Sequence, residues 1–395
     1  MGMVLQLLPN NNPMGKLIRN MKKQIIYFTF NDPPNGVYNS QVIDVVNFIN
    51  TLDKDVNIRL FALISPRSFK KNKVKIKALN PQATVLPTIA PLKYWYLNKL
   101  LLWIVSLFIS TKKVICRGPL ATCLALNVFK KAIVVYDGRG AVVAEHEEYG
   151  VFENSGLEKQ LFEIEKKAVL NSDFRIAVTE KLTNYWKERF FYNSDKHFII
   201  PCTVSDSKTK TNVPQAIKSF ILQNKNKVIY TFAGGNGKWQ GIDLMIEFLS
   251  KQFDNNEQAA ALLLCPINNE LKNFQKRYNE RLLITTVEPE QVNSIICQCD
   301  YGLLLRHSTI TNKVASPVKI AEYLQAGLKV IISSSIGDYS NFIEVHKLGY
   351  IHSDNETPIY NKVPPSLKDH CKNIVESKLR KNSKEIKLKY KSLLK

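Results

Sequence analysis

Arg306 to Asp338 reads R-H-S-T-I-T-N-K-V-A-S-P-V-K-I-A-E-Y-L-Q-A-G-L-K-V-I-I-S-S-S-I-G-D. Its punctuation is that of a polar loop, a helix from about Pro317 to Gln325, a stop at Gly327, a buried strand from Val330 to Ser333 and a second loop through Gly337. Proline is favoured at a first helical position, where its missing N–H costs nothing, and glycine at the left-handed exit after a helix. Such a helix offers unpaired backbone N–H groups at Ser316, Val318 and Lys319, and Lys319 adds a full charge in the first turn, so the stretch predicts an anion site. Glu322 lies four residues beyond Val318 and three beyond Lys319 and shares their face. Phosphates at the helix start, with a ribose just past them against Glu322, make a nucleotide cradle.

Working outward, the chain alternates strand and helix on both sides of a polar linker. The first half has expected strands at Gln24–Phe30, Ile58–Ile64, Lys113–Cys116, Ala132–Tyr136, Arg175–Val178 and Phe198–Ile200, with helices at about Ser40–Leu52 and Leu157–Asn171 and a helix start at Thr179. After S-D-S-K-T-K-T-N-V-P, the second half restarts with strands at Val228–Phe232, Ala260–Cys265, Leu282–Thr285 and Tyr301–Leu305 and a helix at Ile242–Lys251. Two such alternations imply two facing α/β domains. We divide the chain into residues 1–205, 206–365 and a basic tail, 366–395, with the boundary near Ser205 to Pro214. The tail carries ten Lys or Arg against three acids in a helical pattern.

Gly234 to Gly241 (G-G-N-G-K-W-Q-G) follows a strand and opens a helix, so Gly234, Gly235 and Gly237 let backbone N–H groups approach a diphosphate, with Lys238 as the cation of the loop. A tight turn with a solvated lysine has the same composition. Arg306 and His307 end a strand at the side where open α/β sheets hold ligands, and Arg306 forks a phosphate or is a surface arginine. In the first half, Asp137 and Arg139 end a strand and Glu145 follows; they serve acceptor binding or proton transfer, or pair to hold a loop. Asn35 and Gly36 follow the first strand as an acceptor or phosphate loop or as a helix-entry turn. Asp53 and Asp55 have metal-ligand spacing but lie between a helix and a strand, where turn residues are expected.

S-P-V-K-I-A-E-Y-L-Q-A-G-L-K-V-I resembles the donor-nucleotide motif of the group 1, or family 4, glycosyltransferases. D-G-R-G followed by A-E at Asp137 to Glu145 resembles another signature of the same family. Many members carry a second glutamate eight residues before the one matching Glu322; here that place is Val314, as in a branch with Ser-Pro-Thr-Lys in this loop, which the chain resembles better. The resemblance implies the GT-B fold, two facing Rossmann-like doubly wound domains with an interdomain cleft, and a last helix that crosses back onto the first domain. It implies transfer of a hexosyl-type sugar from a UDP- or GDP-linked donor with retention of configuration, no cofactor and no metal. The acceptor expected is a glycan or polyprenyl-linked saccharide of capsule, O-antigen or exopolysaccharide assembly. The alternatives are a nucleotide-sugar epimerase of the same fold and a non-enzymatic basic module on a membrane surface.

Composition sets further bounds. At 395 residues, 45% hydrophobic and 23% charged, the chain is globular and long enough for two domains. A net charge of +21 favours anionic partners. Basic residues cluster at Arg67 to Lys77 and in the tail without aromatic interleaving, which favours acidic lipid and phosphorylated substrates over nucleic acid. Tyr94 to Ser110 is the most apolar segment, shorter than the ~20 residues of a span, and reads as a groove-lining helix or as one dipping into a membrane interface. Seven scattered cysteines without a C-x-x-C pair argue for reduced thiols. With no signal-peptide pattern expected in Met1 to Pro13, the place expected is the cytoplasm, peripheral at the inner face of the cell membrane.

Overall fold

In a computed structural model, residues 23–205, 212–353 and 358–395 are described. The expectation for Met1 to Pro13 and most of the anticipated linker lie outside them. The first half forms a seven-stranded parallel sheet in the order β3-β2-β1-β4-β5-β6-β7. Its strands are β1 (Lys23–Phe30), β2 (Val56–Ile64), β3 (Thr84–Pro87), β4 (Lys113–Arg117), β5 (Ile133–Gly138), β6 (Phe174–Ala177) and β7 (His197–Ile199). The helices between them are α1 (Asp44–Leu52), α2 (Phe69–Leu79), α3 (Asn98–Ser106), α4 (Gly118–Val128), α5 (Val142–Tyr149), α6 (Leu161–Asn171) and α7 (Glu180–Phe190). The second half forms a six-stranded parallel sheet, β10-β9-β8-β11-β12-β13. It contains β8 (Val228–Ala233), β9 (Ala259–Leu264), β10 (Leu282–Thr285), β11 (Tyr301–Leu304), β12 (Lys329–Ser333) and β13 (Gly349–His352). Its helices include α8 (Gln215–Gln223), α9 (Ile242–Asn255), α10 (Asn269–Arg277), α11 (Pro289–Ile296), α12 (Ile310–Lys313), α13 (Val318–Gln325) and α14 (Tyr339–Val345).

Both sheets are covered on two faces, which is why β8 and β9 are apolar without alternation and buried throughout. In β1 the pleat divides the side chains: Ile26, Phe28 and Phe30 join one core and Ile25 and Tyr27 the other. Strand order reverses between β1 and β4 and again between β8 and β11. Those two reversals are the crevices at which such sheets hold ligands.

Several elements were not assigned from the sequence. The α4 segment, G-P-L-A-T-C-L-A-L-N-V, is buried on most sides, so it carries no amphipathic stripe. The single helix expected over Tyr94 to Ser110 is instead a 3₁₀ segment, Leu92–Leu97, kinked at Tyr94, followed by α3. Asn98 makes the break: its buried side chain donates to Trp95 O at 2.9 Å and accepts from Ile89 N at 2.8 Å. Trp95 and Leu102 face the core that holds α4, whereas Ile76 of the basic helix α2 joins the opposite one. Apolar and basic segments thus flank the edge strand β3 on opposite faces of the sheet.

The tail is two helices, not one. Cys371 of α15 (Pro365–Ile374) lies in the second-domain core, and the chain then crosses. Val204 and Arg380 form a bridge, and buried Lys381 donates to Thr203 O at 3.2 Å and Ser205 Oγ at 3.1 Å, so the two crossings run side by side. Ile386, Tyr390, Leu393 and Leu394 of α16 (Lys384–Leu394) complete the first-domain core beside Val42 and Val46. Leu393→Ala, which removes a buried side chain from a core closed only by this return, is expected to lower stability by about 3 kcal/mol in chemical denaturation. A loss below ~1 kcal/mol would show that α16 is peripheral to that core.

Candidate active site

The second-domain half of the site begins with a glycine. A Cβ on Gly234 would lie 2.5 Å from Lys319 Cε and 2.7 Å from its Nζ, so only glycine at the end of β8 lets the Lys319 ammonium settle there. Lys319 Nζ sits 5.3 Å over the Phe232 ring and donates to Gln240 Oε1 at 3.2 Å. Arg306, at the end of β11, donates to the same oxygen at 3.1 Å and to Asn312 Oδ1 at 3.3 Å, and its buried Nε has no partner. Two buried cations therefore share one neutral carbonyl oxygen. Burial, then the charge of Arg306, lowers the Lys319 ammonium to about 8, and burial lowers Arg306 to about 10. Close packing fixes α13 in place: a Cβ on Gly302 would meet the Tyr323 ring at 2.3 Å, and Tyr323 Oη accepts from Ala233 N at 3.2 Å.

Several predicted residues are placed differently from expectation. Pro317 is the residue before the helix, φ −68° and ψ 120°, and Val318 and Lys319 begin it. Ser316, Pro317 and Val318 line the cleft cavity; the Ser316 Oγ accepts from Cys202 N at 2.9 Å and lies 3.3 Å from Tyr339 Oη, which ties this turn to the interdomain crossing. Lys238 is exposed and takes no part in the cavity lining; the cation in the cradle is Lys319. A Cβ on Gly235 would meet nothing within 4 Å, whereas Gly237 lies under the Trp239 ring. Glu322 is raised by burial and opposed by the charge of Lys319, and it is outside the cavity lining. Gly327 has the expected left-handed backbone, φ +83°.

In the first domain the largest correction is Asp137. Its carboxylate has no accessible surface; it pairs with Arg139 Nε at 2.8 Å and accepts from Tyr27 Oη. A group so enclosed cannot reach a substrate proton, so Asp137 positions Arg139. Arg139 and Glu145 do line the cleft. Glu145 is raised to about 7, first by burial and then by the charge of Glu148. Glu165 supports this corner from below: it is fully buried, raised to about 8 by burial, and accepts from Val143 N at 2.7 Å in the first turn of α5. Asn35 caps the helix turn at Gly36 by accepting from Tyr38 N at 2.9 Å, and Val37 next to it enters the cleft. Asp53 Oδ1 accepts from Asp55 N at 2.9 Å, which makes that pair a turn.

The two halves meet in a cavity of about 260 Å³ lined by Arg117, Arg139 and Glu145 from one domain and Trp239, Gln240, Arg306 and Lys319 from the other. Arg117, Trp239 and Gln240 were not singled out from sequence. Gln240 lies inside the glycine-rich loop, directly before Gly241, and that was the one available signal. Closure rests on two reciprocal helix caps. Glu148 accepts from Ile310 N at 2.6 Å and Thr311 N at 2.9 Å, and Asp338 accepts from Glu180 N at 2.7 Å at the start of α7. Tyr149 Oη lies 3.0 Å from Thr309 Oγ1 and accepts from Asn312 Nδ2 at 3.1 Å, and its ring meets Trp239 edge-on.

No protein-family model matches the chain, and no curated protein matches it in sequence. Solved structures do. Anabaena HepE in complex with UDP superposes with a TM-score of 0.67 at 11% identity, covering 94% of this chain and 99% of that one. Sucrose-phosphate synthase from Thermosynechococcus elongatus gives 0.69 at 12% identity, covering 94% and 98%. The lipopolysaccharide outer core galactosyltransferase WaaB, apo form, gives 0.61 at 11%, covering 94% and 98%. At these identities the likeness is one of fold, and together with the two parallel sheets around a cleft it shows that the chain has the GT-B fold.

The raised acid in this cleft has a measurable consequence. Folded protein binds more protons than unfolded wherever pH lies between the ordinary glutamate value, 4.5, and the Glu145 value of about 7. Stability therefore falls as pH rises through that window. Glu145→Gln removes this contribution, so denaturation series at pH 5 and pH 8 are expected to show the variant gaining on wild type at the higher pH. Parallel curves would mean that Glu145 titrates normally.

Proposed function

We propose that this protein is a glycosyltransferase that moves a sugar from a nucleotide-diphosphate donor, UDP-linked in the first instance, to a lipid-linked saccharide during assembly of a bacterial surface polysaccharide. The observation that carries the proposal is the pair of buried cations, Arg306 and Lys319, converging on the Gln240 oxygen at the start of α13. Arg306 has no carboxylate acting on it and Lys319 has only the buried Glu322, so a diphosphate arriving at a helix N-terminus supplies further countercharge. The UDP bound to the HepE structure of the same fold supports a uridine donor.

The chemistry follows from charge placement. As the bond from the sugar to the diphosphate lengthens, negative charge grows on the leaving oxygen, and Arg306, Lys319 and the first amides of α13 are already aimed at it. These groups supply countercharge without a metal, and transfer is expected to persist in a chelator. Glu322, one turn beyond Lys319, takes the ribose. In a retaining front-face displacement the departing phosphate oxygen removes the acceptor proton, while Glu145, across the cleft, accepts a hydrogen bond from the reacting hydroxyl.

The acceptor's lipid is proposed from the surface of the first domain. Trp103, Ile104, Leu107 and Phe108 at the end of α3 are exposed, Phe108 by 83%. No helix among the described residues is long and apolar enough to cross a membrane. Across the β3 edge, α2 presents Lys70, Lys71, Lys73, Lys75 and Lys77. An edge with apolar and basic flanks suits shallow seating on an anionic leaflet, with each basic residue near the surface contributing ~1 kcal/mol. The protein is accordingly proposed to work from the cytoplasmic face.

Lys319→Ala is expected to weaken UDP binding at least tenfold by calorimetry, and Glu322→Ala by a similar factor. Glu145→Gln should leave UDP affinity near wild type and lower transfer at least tenfold. Wild-type UDP affinity in a folded Lys319→Ala variant would refute the cradle, and release of a free epimer without an acceptor would favour an epimerase. In flotation, the protein should rise with anionic vesicles at low salt and not with neutral ones, and Trp103→Ser with Phe108→Ser should reduce the bound fraction. Equal recovery from both vesicle types would point to a soluble acceptor.

A further inference from the structure

A second cavity, of about 370 Å³, is lined only by first-domain residues, over the ends of β1, β4 and β5, and shares Arg117, Arg139, Gly140 and Glu145 with the cleft cavity. Its size is that of a small-molecule site. Phe30, Leu92, Val142 and Phe152 give it apolar walls, and Leu92 opens the segment that leads to the exposed end of α3.

Its polar groups are unusual in what they leave over. Arg139 is neutralised by Asp137, and Arg117 lies 3.5 Å from Asp32 as an ion pair. The charges are thus matched in pairs. That second pair makes no hydrogen bond, however, so Arg117 Nη1 and Asp32 Oδ2 are covered atoms without a partner, as is Arg139 Nη1, while the rest of the Asp32 side chain, 35% exposed, opens to the cavity. The Tyr136 hydroxyl, on a side chain with no accessible surface, also lacks one. Glu145 adds a carboxyl at the rim shared with the donor side. Buried donors and acceptors left unpaired carry a desolvation penalty that a ligand able to satisfy both kinds relieves.

We infer that this cavity is the acceptor subsite and that it takes a neutral sugar residue, whose adjacent hydroxyls are read jointly by the Asp32 carboxylate and the Arg117 guanidinium. The inference rests on the transferase reading and narrows its substrate class. A hydroxyl both donates and accepts, so a vicinal pair satisfies Arg117 Nη1 and Asp32 Oδ2 together while its C–H face lies on the apolar walls. A phosphate or carboxylate has only acceptors to offer. It would satisfy Arg117 and set the Asp32 carboxylate, 3.5 Å from Arg117, against a like charge. A sugar seated here reaches the donor side at the Glu145 rim, where the two cavities join.

The test uses methyl gluco-, galacto- and mannopyranosides as neutral probes and glucose 6-phosphate and glucuronate as anionic ones, titrated by NMR with and without saturating UDP. At least one neutral glycoside is expected to bind tenfold or more tighter than either anionic sugar. Asp32→Asn should weaken that binding at least tenfold with melting temperature and UDP affinity unchanged. If Asp32→Asn melts early, Arg117→Lys, which keeps the charge and loses the fork, is expected to weaken glycoside binding at least tenfold as well, with melting temperature unchanged. Tighter binding of an anionic sugar, or wild-type glycoside affinity in the folded variant, overturns the inference. Binding of UDP with no glycoside overturns it too, while leaving the donor reading intact. Failure to bind UDP refutes the donor reading alone, since glycoside binding without nucleotide still decides the acceptor subsite.

Discussion

Two buried positive charges, Arg306 and Lys319, rest against a single amide oxygen, and much of the second domain is arranged to make that tolerable. Removing a cation from water is costly, and the protein meets the cost only in part, through Gln240, Asn312 and the Phe232 ring. The Lys319 ammonium is lowered first by burial and then by Arg306, and the buried Glu322 offsets part of that. Glycine is required where the neighbours come closest. Gly241, with φ +63°, would bring a Cβ to 2.3 Å from Leu305 O, and Gly234 would strike Lys319 itself.

The same region is where the chain passes between domains. Ser316 ties the cradle to Cys202, Gln41 donates to Thr203 O at 2.9 Å, and Lys381 closes the second crossing on that same oxygen. The crossings therefore abut the cradle, so a shift in one is felt in the other. The opposed caps at Glu148 and Asp338 lie away from these crossings in sequence and give each domain a charge-assisted hold on a helix of the other. The two domains are brought together largely by polar contacts, and the apolar clusters each stay within one domain apart from the returning α16, Val314 and Val318 against the first-domain core, and Val204 in the second-domain core.

The first domain divides its surface by face. The crossover from β2 to β3 runs outward along the sheet and that from β3 to β4 runs back, which puts α2 on one face and α3 on the other, so basic and apolar segments adjacent in sequence lie on opposite sides of the sheet. They meet again only around the β3 edge. Leu92, at the start of the 3₁₀ segment that precedes α3, lines the first-domain cavity over the ends of β1, β4 and β5.

The sequence by itself determined the alternation of strands and helices, the parallel sheets, and the helix from Val318 with Lys319 and Glu322 on one face. These are local: apolar runs set strands, and proline and glycine set the limits of the helix. Where local patterning was absent or overruled, only tertiary structure decided. The all-apolar α4 carried no stripe to read, and Asn98 broke a helix through bonds to Ile89 and Trp95 that periodicity does not encode. The roles within the site followed the same division. Asp137 and Arg139 stand two residues apart, but Tyr27, 110 positions away, is what encloses the carboxylate and makes it a support. Ser316 Oγ meets the backbone of Cys202, 114 positions away, and Lys319 rather than Lys238 is the cation beside the glycine loop, where Gln240 accepts from both Arg306 and Lys319 arriving from β11 and α13. The pairing of Asp32 with Arg117 joins the ends of β1 and β4, neighbours only because strand order reverses between them. Spacing along the chain fixes which side chains share an element's face, whereas burial and charge at a site depend on which elements the sheet brings side by side.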